Sequence, residues 1–303
     1  MALDGIICPI ATPLNVPGES LNAAVFASHL DALLPDVDGI FVLGSSGEHP
    51  WLSEAVEDEV VKVAAAVTAG CRPLLVGAGQ ASLSRTLIRI ESLSALPGDY
   101  YVVTPASYFP ITDPGACTEY FTRIAEHADR PIILYNIPLN AGNSIAPAAV
   151  RDLASHPNIA GIKDSSGDMI AFAELLFTQS DSFRVLQGRE QLIAASAALG
   201  CTGVVSAMSN FAPRLLRQVL NAARRADLAA SAKLQEDTSK LARIFNEGYW
   251  LSALKVALNA TGFAVGVPSQ PLPHLTTDQS SRIETLIRDA EARGWLTRPH
   301  GGK

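Results

Sequence analysis

Short apolar runs recur along the chain, separated by longer stretches in which apolar positions return every three or four residues. The runs are GIICPI (5–10), GIFVL (39–43), PLLVG (73–77), YYVV (100–103), PIILYN (131–136), IAGIK (159–163), FRVLQ (183–187) and TGVVS (202–206). They are near-continuously hydrophobic and do not alternate, which is how strands buried on both faces read. The stretches between them read as amphipathic helices. SEAVEDEVVKVAAAVTAG opens on Ser53 and several acids, a helix N-terminal signature, and stops at Gly70.

Eight strand–helix units of similar length predict an α/β fold, a closed (β/α)8 barrel. An open doubly wound sheet is the structural rival, but the phosphate-binding glycine fingerprint is missing after the first strand. Beyond residue 210 the pattern is helical, so the barrel is expected over residues 1–210, with a C-terminal helical extension over 211–303 packed beside it. No Pro/Gly/Ser-rich linker separates the two.

Composition narrows the function classes. With 303 residues, 48% of them hydrophobic and 17% charged, the chain has enough apolar surface for a sizeable core. A formal charge of −7 and the lack of any Lys/Arg cluster argue against nucleic acid or an anionic membrane as partner. The four cysteines, Cys8, Cys71, Cys117 and Cys201, are scattered, with no CxxC and no neighbouring histidine. Buried reduced thiols are therefore expected, not a metal site or a disulfide framework. MALDGIICPIATPL lacks a basic start and is broken by Asp4, Pro9 and Pro13, so it reads as a first strand and not as a signal peptide. The longest apolar runs fall short of a membrane span. A cytoplasmic protein acting on a small molecule, without metal or cofactor, is the expectation.

In such a barrel, chemistry sits at the C-terminal strand ends. Lys163 closes the sixth run, Tyr135 stands near the end of the fifth, and GSSGE (44–48) follows the second. An ordinary lysine, with pKa near 10.4, is neutral in only about one molecule in several thousand at pH 7. Desolvation at a barrel mouth is expected to bring such an amine towards about 7–8 and free it to form a Schiff base with a ketone. The alternative is a snorkelling lysine paired with Asp164. Tyr135 is either a proton relay or an aromatic ending a strand. GSSGE is either a small carboxylate cradle, built from Ser45, Ser46 and nearby N–H groups, or a plain turn capping the next helix.

These segments, in this order and spacing, resemble the N-acetylneuraminate lyase and dihydrodipicolinate synthase family of class I pyruvate-dependent aldolases. The resemblance runs from ATPL (11–14) through GSSGE, VTP (103–105), YNIP (135–138), GIKD (161–164) and GVVS (203–206) to LKVAL (254–258). It implies Lys163 as the Schiff-base lysine and Tyr135 as the proton-handling phenol, with Ser45 in its relay. It implies Ser46, in the GSSGE cradle with Gly47, on the pyruvate carboxylate, and the Val205 backbone at the pyruvyl end. It also implies a homotetramer built as a dimer of dimers.

The departures are informative. Where the synthase branch carries an arginine two residues beyond the proline of YNxP, this chain has Asn140. Where many members carry a tyrosine two residues after VTP, it has Ser107, with Tyr108 one step later. His49 follows GSSGE and reads either as a pocket residue or as a loop histidine near Trp51. Arg189, in QGRE after the seventh run, is a candidate for the distal end of a hydroxylated acid or else an ion-pair partner near Glu190. The expected activity is cleavage or formation of a 2-keto-3-deoxy or 4-hydroxy-2-oxo acid, with pyruvate and an aldehyde as the other side of the reaction. A 2-keto-3-deoxy sugar acid dehydratase, a dihydrodipicolinate synthase and a non-catalytic keto-acid binding protein are the alternatives.

Overall fold

The structure, a computed structural model, describes residues 3–16 and 20–300, so the extreme ends of the expected 1–210 and 211–303 units lie outside it. Eight parallel strands close into a barrel. They are β1 (Gly5–Pro9), β2 (Gly39–Val42), β3 (Leu74–Gly77), β4 (Tyr100–Val103), β5 (Ile132–Asn136), β6 (Ile159–Asp164), β7 (Arg184–Gln187) and β8 (Gly203–Val204). Closure comes from β1, which pairs with both β2 and β8. All eight predicted runs are strands, the last shortened to two residues. A small antiparallel hairpin, Leu14–Val16 with Ser20–Leu21, is an addition that the apolar pattern does not predict.

Period-2 alternation sorts the strand side chains into two cores. Ile7, Phe41, Leu75, Val102, Ile133, Tyr135, Leu186 and Val205 share the cluster inside the barrel. Their neighbours Cys8, Ile40, Val42, Ile132 and Leu134 join the larger cluster under the helices. Both faces are dry, which explains why the strands read as unbroken apolar runs.

Besides a single helical turn at Pro138–Ala141, the helices are α1 (Ala23–Leu33), α2 (Glu54–Thr68), α3 (Leu83–Ser94), α4 (Pro114–His127), α5 (Pro147–Leu153), α6 (Met169–Leu176) and α7 (Ile193–Ala198). Their starts follow the sequence. Ser53 caps α2 by accepting from the Val56 N–H, and Asp113 caps α4 with Pro114 in the first turn. Helix α8 (Pro213–Arg224) packs on α7 and β1, so the eighth strand–helix unit runs past residue 210. Beyond it, α9 (Leu228–Leu241) packs on α8, and α10 (Trp250–Ala260) packs against α11 (Thr277–Ala292). No strand follows Val204 among the described residues, and none of their helices is long and apolar enough to cross a membrane.

Two details of the frame bear on chemistry. Cys8, Cys117 and Cys201 are buried, as expected, but Cys71 is exposed, because it sits in the turn after α2. Burial pushes the Cys8 thiol up to about 12 and those of Cys117 and Cys201 up to about 11, which keeps them protonated and inert. In α1, buried His29 donates from Nε2 to the Asn210 carbonyl at 2.8 Å, and burial lowers its pKa to about 4. The Asn210 side chain in turn ties the end of β1, accepting from the Ala11 N–H at 2.9 Å and donating to the Pro9 carbonyl at 2.9 Å.

Candidate active site

Lys163 and Tyr135 are register partners on β6 and β5, so both side chains project to the same face, the barrel interior. The Lys163 Nζ lies 4.0 Å from the centroid of the Tyr135 ring and 5.3 Å from that of Phe41. The lysine is 5% exposed and has no ion pair among the described residues. Asp164, one step along the strand, faces the other way. It accepts from Asn136 Nδ2 at 2.6 Å and from the Ser166 hydroxyl at 2.8 Å. Pairing with Asp164, the bland reading of this lysine, is therefore not what the fold builds. Burial raises the Asp164 pKa, and the Ser166 and Asn136 bonds offset part of that rise.

Tyr135 is 5% exposed. Burial alone would raise its pKa, but the Lys163 charge, with contacts to Ser45, Lys163 and Ser165, outweighs burial and holds the phenol below its ordinary value. Its hydroxyl meets the Ser45 Oγ at 3.5 Å, the outer limit of a hydrogen bond. Phe41 packs edge-on against it, with ring centroids 6.2 Å apart.

GSSGE forms a 3-10 turn, Ser45–Gly47, directly after β2. Gly44 leaves room for the Phe41 ring, which an added Cβ would meet at 2.8 Å. The Gly47 carbonyl accepts from the Thr12 hydroxyl at 2.8 Å, which is how ATPL reaches the site. Leu43 (φ 57°) and Glu48 (φ 63°) flank the turn in the left-handed region. Such backbone costs about 1–3 kcal/mol for each non-glycine residue and persists only where the surroundings hold it. At Glu48 the hold is visible. Its Oε1 lies 2.5 Å from the Lys255 Nζ, and its Oε2 accepts from the Ser269 N–H at 2.6 Å. Lys255 also donates to the Val267 carbonyl at 2.9 Å. Burial lowers the Lys255 pKa, and Glu48 opposes that shift.

A cavity of about 440 Å³ opens above this group. Of the residues predicted from sequence, Ser45, Tyr135 and Asn140 line it. Lys163, Ser46, Gly47 and Val205 are not among the lining residues. Lys163 lies against the Tyr135 ring, Ser46 (4% exposed) and Gly47 sit in the Ser45 turn, and Val205 (1% exposed) belongs to the same inner cluster as Tyr135. Arg189 is elsewhere. Its Nε donates to the Ser165 carbonyl at 2.9 Å, and it makes no ion pair among the described residues. Glu190 instead accepts from the Ser206 hydroxyl at 2.8 Å. The arginine on the cavity wall is Arg85.

His49 also lines the cavity, with Nδ1 2.7 Å from Glu57 Oε1 and Nε2 3.0 Å from the Gly79 carbonyl, so it is a wall residue and not a loop histidine. Glu57 is shared with Arg89, 2.8 Å away. Ser107 lines the cavity, whereas Tyr108 is 88% exposed and stacks edge-on with Phe109. Sequence reasoning missed Glu48, Lys255 and Arg85. The signal for Lys255 was a lysine inside LKVAL, with apolar neighbours on both sides.

Residues 2–290 match the model of the dihydrodipicolinate synthetase family. A 4-hydroxy-tetrahydrodipicolinate synthase from Xanthomonas axonopodis pv. citri is 34% identical over 96% of this chain and 96% of its own. An uncharacterized DapA-like lyase from Halobacterium salinarum is 29% identical over 95% of this chain and 94% of its own. Among solved structures, the dihydrodipicolinate synthase of Bacteroides thetaiotaomicron superposes with a TM-score of 0.88 at 28% identity, covering 95% of this chain and 99% of that one. The E. coli K12 prophage protein YagE, solved in complex with pyruvate, superposes with a TM-score of 0.88 at 26% identity over 96% of this chain and 99% of its own. The chain belongs to the dihydrodipicolinate synthetase family, the lysine Schiff-base lyases of class I aldolase type.

Proposed function

We propose that the chain cleaves, or forms, a 2-keto-3-deoxy or 4-hydroxy-2-oxo acid through a pyruvyl Schiff base on Lys163. The observation that carries this is a buried lysine with no ion pair among the described residues, 4.0 Å from the ring of a tyrosine that lines a cavity. The amine attacks the ketone carbon to give a carbinolamine, and loss of water leaves an iminium. That iminium accepts the electron pair of the breaking C3–C4 bond, releasing an aldehyde and an enamine. Protonation of the enamine and hydrolysis return pyruvate and the free lysine. Tyr135, with Ser45 beside it, moves protons at the carbinolamine and at the reacting oxygen. Ser46 and the backbone about Gly47 hold the substrate carboxylate, and the Val205 backbone borders the pyruvyl methyl. YagE, a structural relative of this chain, was solved with pyruvate, which supports the same substrate end here.

Asn140 lines the cavity and offers only a neutral amide for a second carboxylate, which favours the aldolase reading over the synthase activity named for the Xanthomonas relative. A dehydratase would use the same lysine. Arg189 has no part in this reading as the distal contact, since its guanidinium is engaged outside the cavity lining. Exposed Tyr108 and Phe109, whose rings meet edge-on, support assembly of several chains, and a homotetramer is part of the proposal. A cytoplasmic location is too, since a reducing compartment keeps the four free cysteines as thiols. A panel of 2-keto-3-deoxy and 4-hydroxy-2-oxo acids, read by pyruvate release, tests the assignment. Release from at least one, abolished in Lys163→Ala, is expected. No release from any, with efficient condensation of aspartate semialdehyde, would replace it with the synthase.

A further inference from the structure

The chemistry above leaves two buried charged elements of the site unused, the His49–Glu57–Arg89 group and the Glu48–Lys255 pair. Glu48 ends the GSSGE turn, its N–H donating to the Ser45 carbonyl at 3.2 Å, and its carboxylate is held by Lys255 and the Ser269 N–H. Both ionic residues are 1% exposed. Lys255 belongs to α10, whose first turn also places Trp250 and Leu251 on the cavity wall. We infer that the Glu48–Lys255 pair positions the carboxylate cradle, so that pyruvate affinity depends on a contact between the turn after β2 and the C-terminal helices. The inference rests on the reading of GSSGE as the cradle.

One general argument and two observations carry it. Buried ion pairs are often replaceable by well-packed apolar side chains without loss of stability, so a buried pair is weak evidence of a purely stabilising role. What the pair adds is direction: each Glu48 oxygen has one fixed partner, and Lys255 is fixed in turn by the Val267 carbonyl. The segment so held has left-handed backbone at Leu43 and Glu48, one on each side of Ser45–Gly47, and such backbone relaxes when its anchor is removed. Relaxation there would move Ser46 and the turn N–H groups, while Lys163 and Tyr135, on β6 and β5, would stay in place.

The test measures, for each chain, the pyruvate concentration that half-saturates borohydride trapping, the extent of trapping at saturating pyruvate, and the melting temperature. The variants are Glu48→Gln, which keeps the shape of the side chain, Lys255→Met, and Lys255→Arg as the conservative rescue. Glu48→Gln and Lys255→Met are expected to need about tenfold or more pyruvate for half-saturation, with the final extent of trapping unchanged, as for a loss of binding without loss of chemistry. Lys255→Arg is expected to recover most of that loss. If Lys255→Met does not fold, Glu48→Gln decides the matter alone. Lower melting temperatures with unchanged half-saturation would make the pair merely structural and overturn the inference. No adduct in the native chain at any pyruvate concentration would overturn the functional reading, and this inference with it.

Discussion

Lys163 and Tyr135 face each other across the β5–β6 ladder, the ammonium nitrogen 4.0 Å from the centroid of the phenol ring. Each changes what the other can do: the cation favours the phenolate, and the ring shields the amine from water. Removing only the hydroxyl, in Tyr135→Phe, leaves the ring packed against Phe41 and the fold intact. Turnover should fall by about 10²–10⁴-fold, the range for a positioned acid–base group. Steady-state rates on the substrate found by pyruvate release check this, and a near-normal rate would make the phenol a packing residue.

The same contacts set a pH dependence. Burial raises the Tyr135 pKa, but Lys163, Ser45 and Ser165 together bring it below the ordinary phenol value. A phenol that must give up a proton during turnover loses that ability as pH rises through its pKa. The basic limb of kcat/KM should therefore lie below pH ~10, the ordinary tyrosine value. Ser45→Ala removes one lowering contact and should move that limb to higher pH. A limb displaced downward, or unmoved, would separate Ser45 from the relay.

Ser46→Ala should weaken pyruvate binding by about 0.5–1.5 kcal/mol for one neutral hydrogen bond, and by up to about 3 if the bond is charge-assisted. Half-saturation of trapping measures it directly. An unchanged value would move the carboxylate site away from the Ser45–Gly47 turn.

Asn140 on the cavity wall should make this chain a poor dihydrodipicolinate producer. The missing charge-assisted contact corresponds to about 1.5–3 kcal/mol, roughly ten- to hundredfold in use of aspartate semialdehyde. Asn140→Arg should raise condensation and lower cleavage of 2-keto-3-deoxy acids. Efficient condensation by the native chain would contradict the argument, with Arg85 as the residue then to examine.

His29 gives the barrel an acid limit. Its folded pKa, about 4, lies below the unfolded value near 6.5. As pH falls through that interval the unfolded chain takes up the proton first, so stability present above pH ~6.5 is lost by pH ~4, about 3 kcal/mol in all. Urea midpoints measured across this interval should fall for the native chain. They should fall less for His29→Gln, whose neutral amide can still donate to the Asn210 carbonyl.

The eight strands were legible because both faces of each are largely dry, so their sequences are near-continuously apolar. Lys163 stood out for the same reason: it is the residue that breaks such a run at the end where chemistry sits. The tether that Asn210 makes to the end of β1, and the hairpin at Leu14–Val16, were not legible, since neither leaves a local pattern. Glu48 and Lys255 are far apart in the chain, and burial of their charges is visible only once the fold joins them. The position of Arg189 after β7 was legible, but the bond from its Nε to the Ser165 carbonyl was not, since side-chain direction leaves no local pattern.

The most direct measurement is trapping at Lys163. The native chain is incubated with pyruvate and borohydride, digested, and mapped by mass spectrometry. A reduced pyruvyl adduct on the peptide carrying Lys163, absent from Lys163→Ala, is the expected result. An adduct on another lysine, or none while turnover continues, would contradict the Schiff-base assignment.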